Sequence, residues 1–163
     1  EGIVNIGTAG GLHKESKVLD VIIASQAAQF DIDLTPFGYE KSFAEERTSV
    51  YSDNDYIQHA AEIMMKLHDG NRVFIAPMVT SDQFIHTQEQ VEIILKDYPE
   101  ALCADMEAAA IGMVCRQFGI PFTIIRSLSD VAVQKNNTLT FEEYVEKASA
   151  RSAEFCRQFI KQI

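Results

Sequence analysis

The chain has 163 residues, enough for one domain with a sizeable core, and its 47% hydrophobic and 23% charged content is that of a globular protein. A formal net charge of −10 with no basic cluster argues against nucleic acid as a partner. No apolar run reaches the length of a membrane span, no signal-peptide pattern opens the chain, and the three scattered cysteines (Cys103, Cys115, Cys156) form no CxxC pair. Reduced thiols and a cytoplasmic setting follow as expectations.

Residues 2–6 (GIVNI) read as a short strand and residues 7–11 (GTAGG) as a tight glycine turn after it. A chain that opens at Glu1 on a strand with an internal character suggests a single domain over 1–163 that lacks a leading segment. Residues 18–24 read as a second strand, and residues 30–50, with Pro36 and Gly38, as a long excursion. A helix is predicted from about Asp53, with Tyr56, Ile57, Ala60, Ile63, Met64 and Leu67 on one face and Gly70 as its C-cap. Residues 72–79 (RVFIAPMV) read as a buried strand interrupted by Pro77. Thr87 and Gln90 have capping-box spacing and open a helix to about Tyr98. A short strand over 101–105, a helix over 106–118 stopped by Gly119, and a strand over 122–127 follow. A second capping box at 140–143 opens a terminal helix. Strands alternating with helices, several apolar on both faces, predict an α/β fold with a mainly parallel sheet covered on both sides.

Two stretches carry chemistry. Residues 104–110 (ADMEAAA) and 126–130 (RSLSD) each put a carboxylate at the C-terminal end of an apolar strand, where ligands sit in open α/β sheets. Asp105 and Glu107 on one side, Arg126 and Asp130 on the other, suit an uncharged, hydroxyl-rich small molecule. Each feature also has a plain reading. Asp105 and Glu107 are the acids a helix N-terminus favours; Glu107 could equally accept hydrogen bonds from two vicinal hydroxyls. Asp130 reads as a loop cap or as a general acid in a partly desolvated pocket. The glycines of 7–11 serve a turn, or let backbone N–H groups approach a ligand, but match no nucleotide-phosphate motif. Phe84, in the polar loop after the 72–79 strand, packs on the core or stacks on a flat ligand. The four histidines (His13, His59, His68, His86) have no metal spacing, so neither metal nor cofactor is expected.

Taken together, residues 7–11 (GTAGG), 37–40 (FGYE), 81–85 (SDQFI), 105–110 (DMEAAA) and 126–132 (RSLSDVA) resemble the nucleoside phosphorylase and nucleosidase superfamily. Within it, they resemble the 5′-methylthioadenosine/S-adenosylhomocysteine nucleosidases. The motifs fall in the family's order across nearly the whole chain. The resemblance implies a three-layer α/β/α sandwich with a mixed, mostly parallel sheet, and a homodimer. It implies hydrolysis of the N-glycosidic bond, with Asp130 as the acid that protonates adenine N7, assisted by Ser129. Phe84 would stack on the purine and the backbone of Ile85 would read its Watson–Crick edge. Glu107 would hold the ribose hydroxyls beside Met106 and Asp105. Thr8, Ala9 and Gly10 would line the ribose and the attacking water, which Arg126 helps to order. Phe37 would enter a partner subunit's pocket. Phosphorylases of the superfamily usually carry an arginine where Asn5 stands, which favours water over phosphate. The family's water-activating glutamate has no counterpart here; Asp105 replaces a frequent Glu, and Val133 an occasional Asp. A purine nucleoside phosphorylase, another purine nucleosidase or a non-catalytic nucleoside-binding fragment are the alternatives.

Overall fold

In the computed structural model, residues 1–67, 72–132 and 141–162 are described, without the side chains of 141–143 and 145. The elements are β1 (Ile3–Gly11), β2 (Val21–Gln29), β3 (Ser49–Tyr51), α1 (Asn54–Leu67), β4 (Val73–Thr80), α2 (Gln88–Asp97), β5 (Cys103–Asp105), α3 (Ala108–Phe118), β6 (Phe122–Val131) and α4 (Phe141–Ile160). Most of the predicted elements are present, with shifted ends. The Thr87–Gln90 capping box forms at α2, and Gly119 ends α3 in a left-handed conformation. Asp53 caps α1, its carboxylate accepting from the Tyr56 N–H at 3.1 Å. Gly70, His68, Val133 and the capping box at 140–143 lie outside the described residues.

The glycine turn is not a turn. β1 runs straight through it to Gly11, paired in parallel with β6 from Ile3↔Phe122 to Gly11↔Val131. Room is short at Gly11, where a Cβ would lie 3.1 Å from Leu128 and Ser16 side-chain atoms; at Gly7 it would lie 3.5 Å from the Arg126 guanidinium, an ordinary contact. β2 starts at Val21 rather than Val18, because Leu19 adopts a positive φ of 72° and sends its N–H to the Leu128 carbonyl. β6 extends past Ser127 to Val131, so Asp130 stands on a strand and not on a loop.

The sheet is mixed and closes on itself. The strand order is β3-β2-β4-β5-β1-β6, and β2 also pairs with β6. Among the described residues β1–β6, β2–β4 and β4–β5 are parallel, and β1–β5, β2–β3 and β2–β6 antiparallel. The sheet is thus closed rather than open, while the expected mixed, mostly parallel pairing is present: the long β1–β6 and β2–β4 ladders are parallel and the antiparallel pairings are short. Register shifts in β2 and β6 supply curvature that lets the two strands meet. Pro77 sits at the β2–β4 shift, where its missing N–H breaks no regular ladder bond.

Alternation along the strands divides the core. Ile22, Ile124 and Leu128 pack with Ala108, Ala109 and Cys115 of α3, whereas Val21, Ile23 and Ile125 pack with α1 and with Phe155 and Phe159 of α4. A third cluster seats Val91 and Ile94 of α2 against Leu12, Val79 and Ile85. Each large side chain buried this way contributes about 1.5–3 kcal/mol.

One buried ion pair ties the strands together. The Arg126 guanidinium, 2% exposed, donates from Nε and Nη2 to Asp105 Oδ2 at 2.9 and 2.7 Å. Its Nη1 donates to the carbonyls of Asn5 and Ile125, and Nη2 also to the Asn5 side-chain oxygen. All five of its N–H groups are thereby satisfied. Asp105 accepts in addition from Thr80 Oγ1 at 2.6 Å and from the Ala108 N–H at 3.0 Å. β4, β5, β6 and the α3 N-terminus thus meet at one carboxylate, and Arg126 adds β1 through Asn5.

Two stability outcomes follow. Asp105→Ala strands a buried guanidinium and is expected to lower unfolding free energy by about 3–5 kcal/mol in urea titration. Gly112→Ala places a Cβ 2.6 Å from Val50 Cγ1 and 3.0 Å from the Phe122 ring. It is expected to cost about 1–3 kcal/mol, read as a lower Tm.

Candidate functional site

The candidate site is laid along Gly7, Thr8, Ala9 and Gly10 of β1, with β6 on one flank and β5 leading into α3 on the other. Across β6, Gly7 faces Arg126, Thr8 faces Ser127 and Gly10 faces Asp130; across β5, Gly10 faces Ala104. The pairing skips Ser129, which makes it the surplus residue of a bulge. Bulges re-aim neighbouring side chains, and this one precedes Asp130. The Ser129 hydroxyl donates to Asp130 Oδ1 at 2.6 Å and lies 3.4 Å from the Ala9 carbonyl.

Gly10 is the closest point of approach. A Cβ there would lie 3.4 Å from Asp130 Oδ2 and 3.8 Å from the Ile85 carbonyl. The structure therefore brings Gly10, Asp130, Ser129 and the Ile85 backbone together. The Ile85 side chain is buried in the α2 cluster, which fixes the carbonyl that the loop presents. Phe84, next to it, is 63% exposed, its ring parallel to that of His86 at 5.9 Å.

Glu107 stands at the other end. It is the N-cap residue of α3, yet its side chain makes no capping bond. That work is done by others: the Ala108 N–H goes to Asp105 and the Ala109 N–H to Thr80 Oγ1, both at 3.0 Å. The Glu107 carboxylate thus makes no capping bond; its side chain is 65% exposed and stands in a long ion pair with Arg126 Nη2, at 4.0 Å. Asp105 has the opposite character. Buried and engaged in four hydrogen bonds, it takes the plain reading of a helix-terminus acid. Arg126 likewise has no N–H left for a water molecule. Met106 is partly exposed beside Glu107, and Thr8 is exposed between the two ends.

Phe37 stands apart from these groups in the sequence, on a short turn (Thr35–Phe37) closed by Gly38 at φ 86°, with its ring 76% exposed. Three contributors were not singled out from sequence: Thr80, which bridges Asp105 and α3; Asn5 as an acceptor for Arg126; and Tyr144. The Tyr144 hydroxyl donates to the Ser127 carbonyl at 3.0 Å. Burial first, and then the charge of Asp130, push the Tyr144 phenol above its ordinary range, against the hydrogen bond with Ser127. Nothing local in the sequence marks these contacts, which span long separations. Among the described residues no group of three or more His, Cys, Asp or Glu is placed to hold a metal ion. Among them, too, no helix is long and apolar enough to cross a membrane.

Comparison with known proteins gives this geometry a context. A curated 5′-methylthioadenosine/S-adenosylhomocysteine nucleosidase from Tolumonas auensis is 36% identical over 163 residues, 99% of this chain and 70% of that protein. The chain spans about two thirds of the length of such relatives, 64% for one from Geobacillus thermodenitrificans. The crystal structure of a nucleosidase of the same name from Neisseria meningitidis, in complex with methylthio-immucillin-A, is 35% identical with a TM-score of 0.85. It aligns with 99% of this chain and 70% of its own. The native futalosine hydrolase of Helicobacter pylori is 26% identical with a TM-score of 0.84, over 99% of this chain and 68% of that one. The model of the phosphorylase superfamily matches residues 1–161, and with the relatives above it shows that this chain belongs to that superfamily.

Proposed function

We propose that the protein hydrolyses the N-glycosidic bond of 5′-methylthioadenosine and S-adenosylhomocysteine, giving adenine and the corresponding thioribose. The observation that carries this reading is a pair of carboxylates: Asp130 beside Gly10, and the exposed Glu107 beside Arg126. Cleavage leaves positive charge on the ribosyl ring and negative charge on the departing base. Asp130, with Ser129 as hydrogen-bond partner, donates a proton to the purine and relieves the second charge. Glu107 accepts from the 2′ and 3′ hydroxyls, with Met106 beside it. Phe84 offers an exposed face to the purine, and the Ile85 backbone reads its edge. Thr8, Ala9 and Gly10 line the ribose and the water that attacks the anomeric carbon.

Asp105 and Arg126 then serve as supports rather than as direct contacts. Water as nucleophile is favoured because Asn5 is neutral and spent on Arg126, whereas gripping phosphate calls for a cation. The finer architecture belongs to the same reading: a three-layer α/β/α sandwich, a homodimer in which Phe37 enters the partner's pocket, and a cytoplasmic enzyme. A second reading, a purine nucleosidase with a different 5′ group, is favoured by the likeness to futalosine hydrolase.

Steady-state adenine release by the full-length protein tests the proposal. Asp130→Asn is expected to lower kcat by about 10²–10⁴-fold. Glu107→Gln, which weakens two charge-assisted bonds to the sugar, is expected to lower kcat/KM by about 10–100-fold. Added phosphate should leave the rate unchanged; a rate proportional to phosphate would make the enzyme a phosphorylase. Substrates differing only at the 5′ position decide between the two nucleosidase readings.

A further inference from the structure

We propose that Tyr144 is a positioning residue for Asp130, its phenol holding the β6 bulge so that the carboxyl stays beside Gly10. This rests on the nucleosidase reading. Tyr144 comes from α4, an element with no other part in the site, and is 3% exposed. Its hydroxyl donates to the Ser127 carbonyl at 3.0 Å, two residues before the surplus Ser129.

A bulge needs such a hold. Where one strand carries a residue its partner does not match, the ladder no longer fixes the backbone, and something outside the pair has to. β6 is anchored on one side by the residues just before β2, through the Leu128 N–H to the Asp20 carbonyl and the Leu19 N–H to the Leu128 carbonyl. The Tyr144 phenol is the anchor from the helix side. α4 is itself held by Phe155 and Phe159, both fully buried, so the phenol is presented from a fixed base. A phenylalanine would fill the same volume, and the oxygen adds only the bond to Ser127. That bond engages the hydroxyl proton, so Tyr144 does not supply the proton for the leaving base.

The test is a double-mutant cycle in the full-length protein with Tyr144→Phe, Asp130→Asn and both, read by adenine release. Tyr144→Phe alone is expected to lower kcat about three- to tenfold, the worth of one neutral hydrogen bond, with KM within about twofold. In the Asp130→Asn background it should cost nothing further. Equal losses in both backgrounds, or a loss confined to KM, overturn the proposal. Amide exchange at residues 127–131 reads the hold without turnover and is expected to quicken in Tyr144→Phe; unchanged exchange also overturns it. Should the unsubstituted protein release no adenine, the nucleosidase reading fails, while the exchange measurement still decides whether Tyr144 holds the bulge.

Discussion

The buried pair of Arg126 and Asp105 is the constraint on which the rest of the molecule depends. A guanidinium taken out of water is costly unless every N–H finds an acceptor, and here five hydrogen bonds reach four oxygen atoms on β1, β5 and β6. The arrangement leaves the pair little freedom, since moving any one strand breaks a charge-assisted bond. Through Thr80 and Ala108 the same carboxylate also sets where β4 ends and where α3 begins. A closed sheet with a three-residue strand in its ring needs such a clamp, because β5 alone offers few ladder bonds.

The clamp also assigns the remaining acids. Because Asp105 and Thr80 satisfy the first amides of α3, Glu107 has no structural task at the helix end and keeps its carboxylate for solvent or a ligand. Two acids only two residues apart thus have opposite settings, one buried in the clamp and one exposed. On the other flank Asp130 is set differently: the Ser129 hydroxyl gives its carboxyl one hydrogen bond, and Gly10 leaves space in front of it.

Much of this was legible in the chain. Apolar periodicity placed the helices and most strands, and local chemistry placed their ends where it is decisive, as at Thr87, Gln90 and Gly119. Asp130, Ser129, Gly10 and Ile85 emerge as neighbours, although separated by up to 120 residues. What sequence concealed was pairing. Glycines at 7, 10 and 11 look like a turn until β6 is seen beside them, because a tight turn and a crowded strand use the same residue for different reasons. The ring closure depends on register shifts, which have no local signature. The division of labour between Asp105 and Glu107 was invisible because it is decided by Arg126 and Thr80, which approach from other strands.

The extra residue at Ser129 carries an implication for how this protein could change over time. Removing one residue from that stretch would restore an unbroken ladder between β1 and β6, a gain for the scaffold, while rotating the following carboxylate toward the opposite face of the sheet. Selection for an unbroken ladder and selection for where that carboxylate points therefore pull in opposite directions at a single position. A lineage in which that placement ceased to matter would be free to lose the residue and keep its fold.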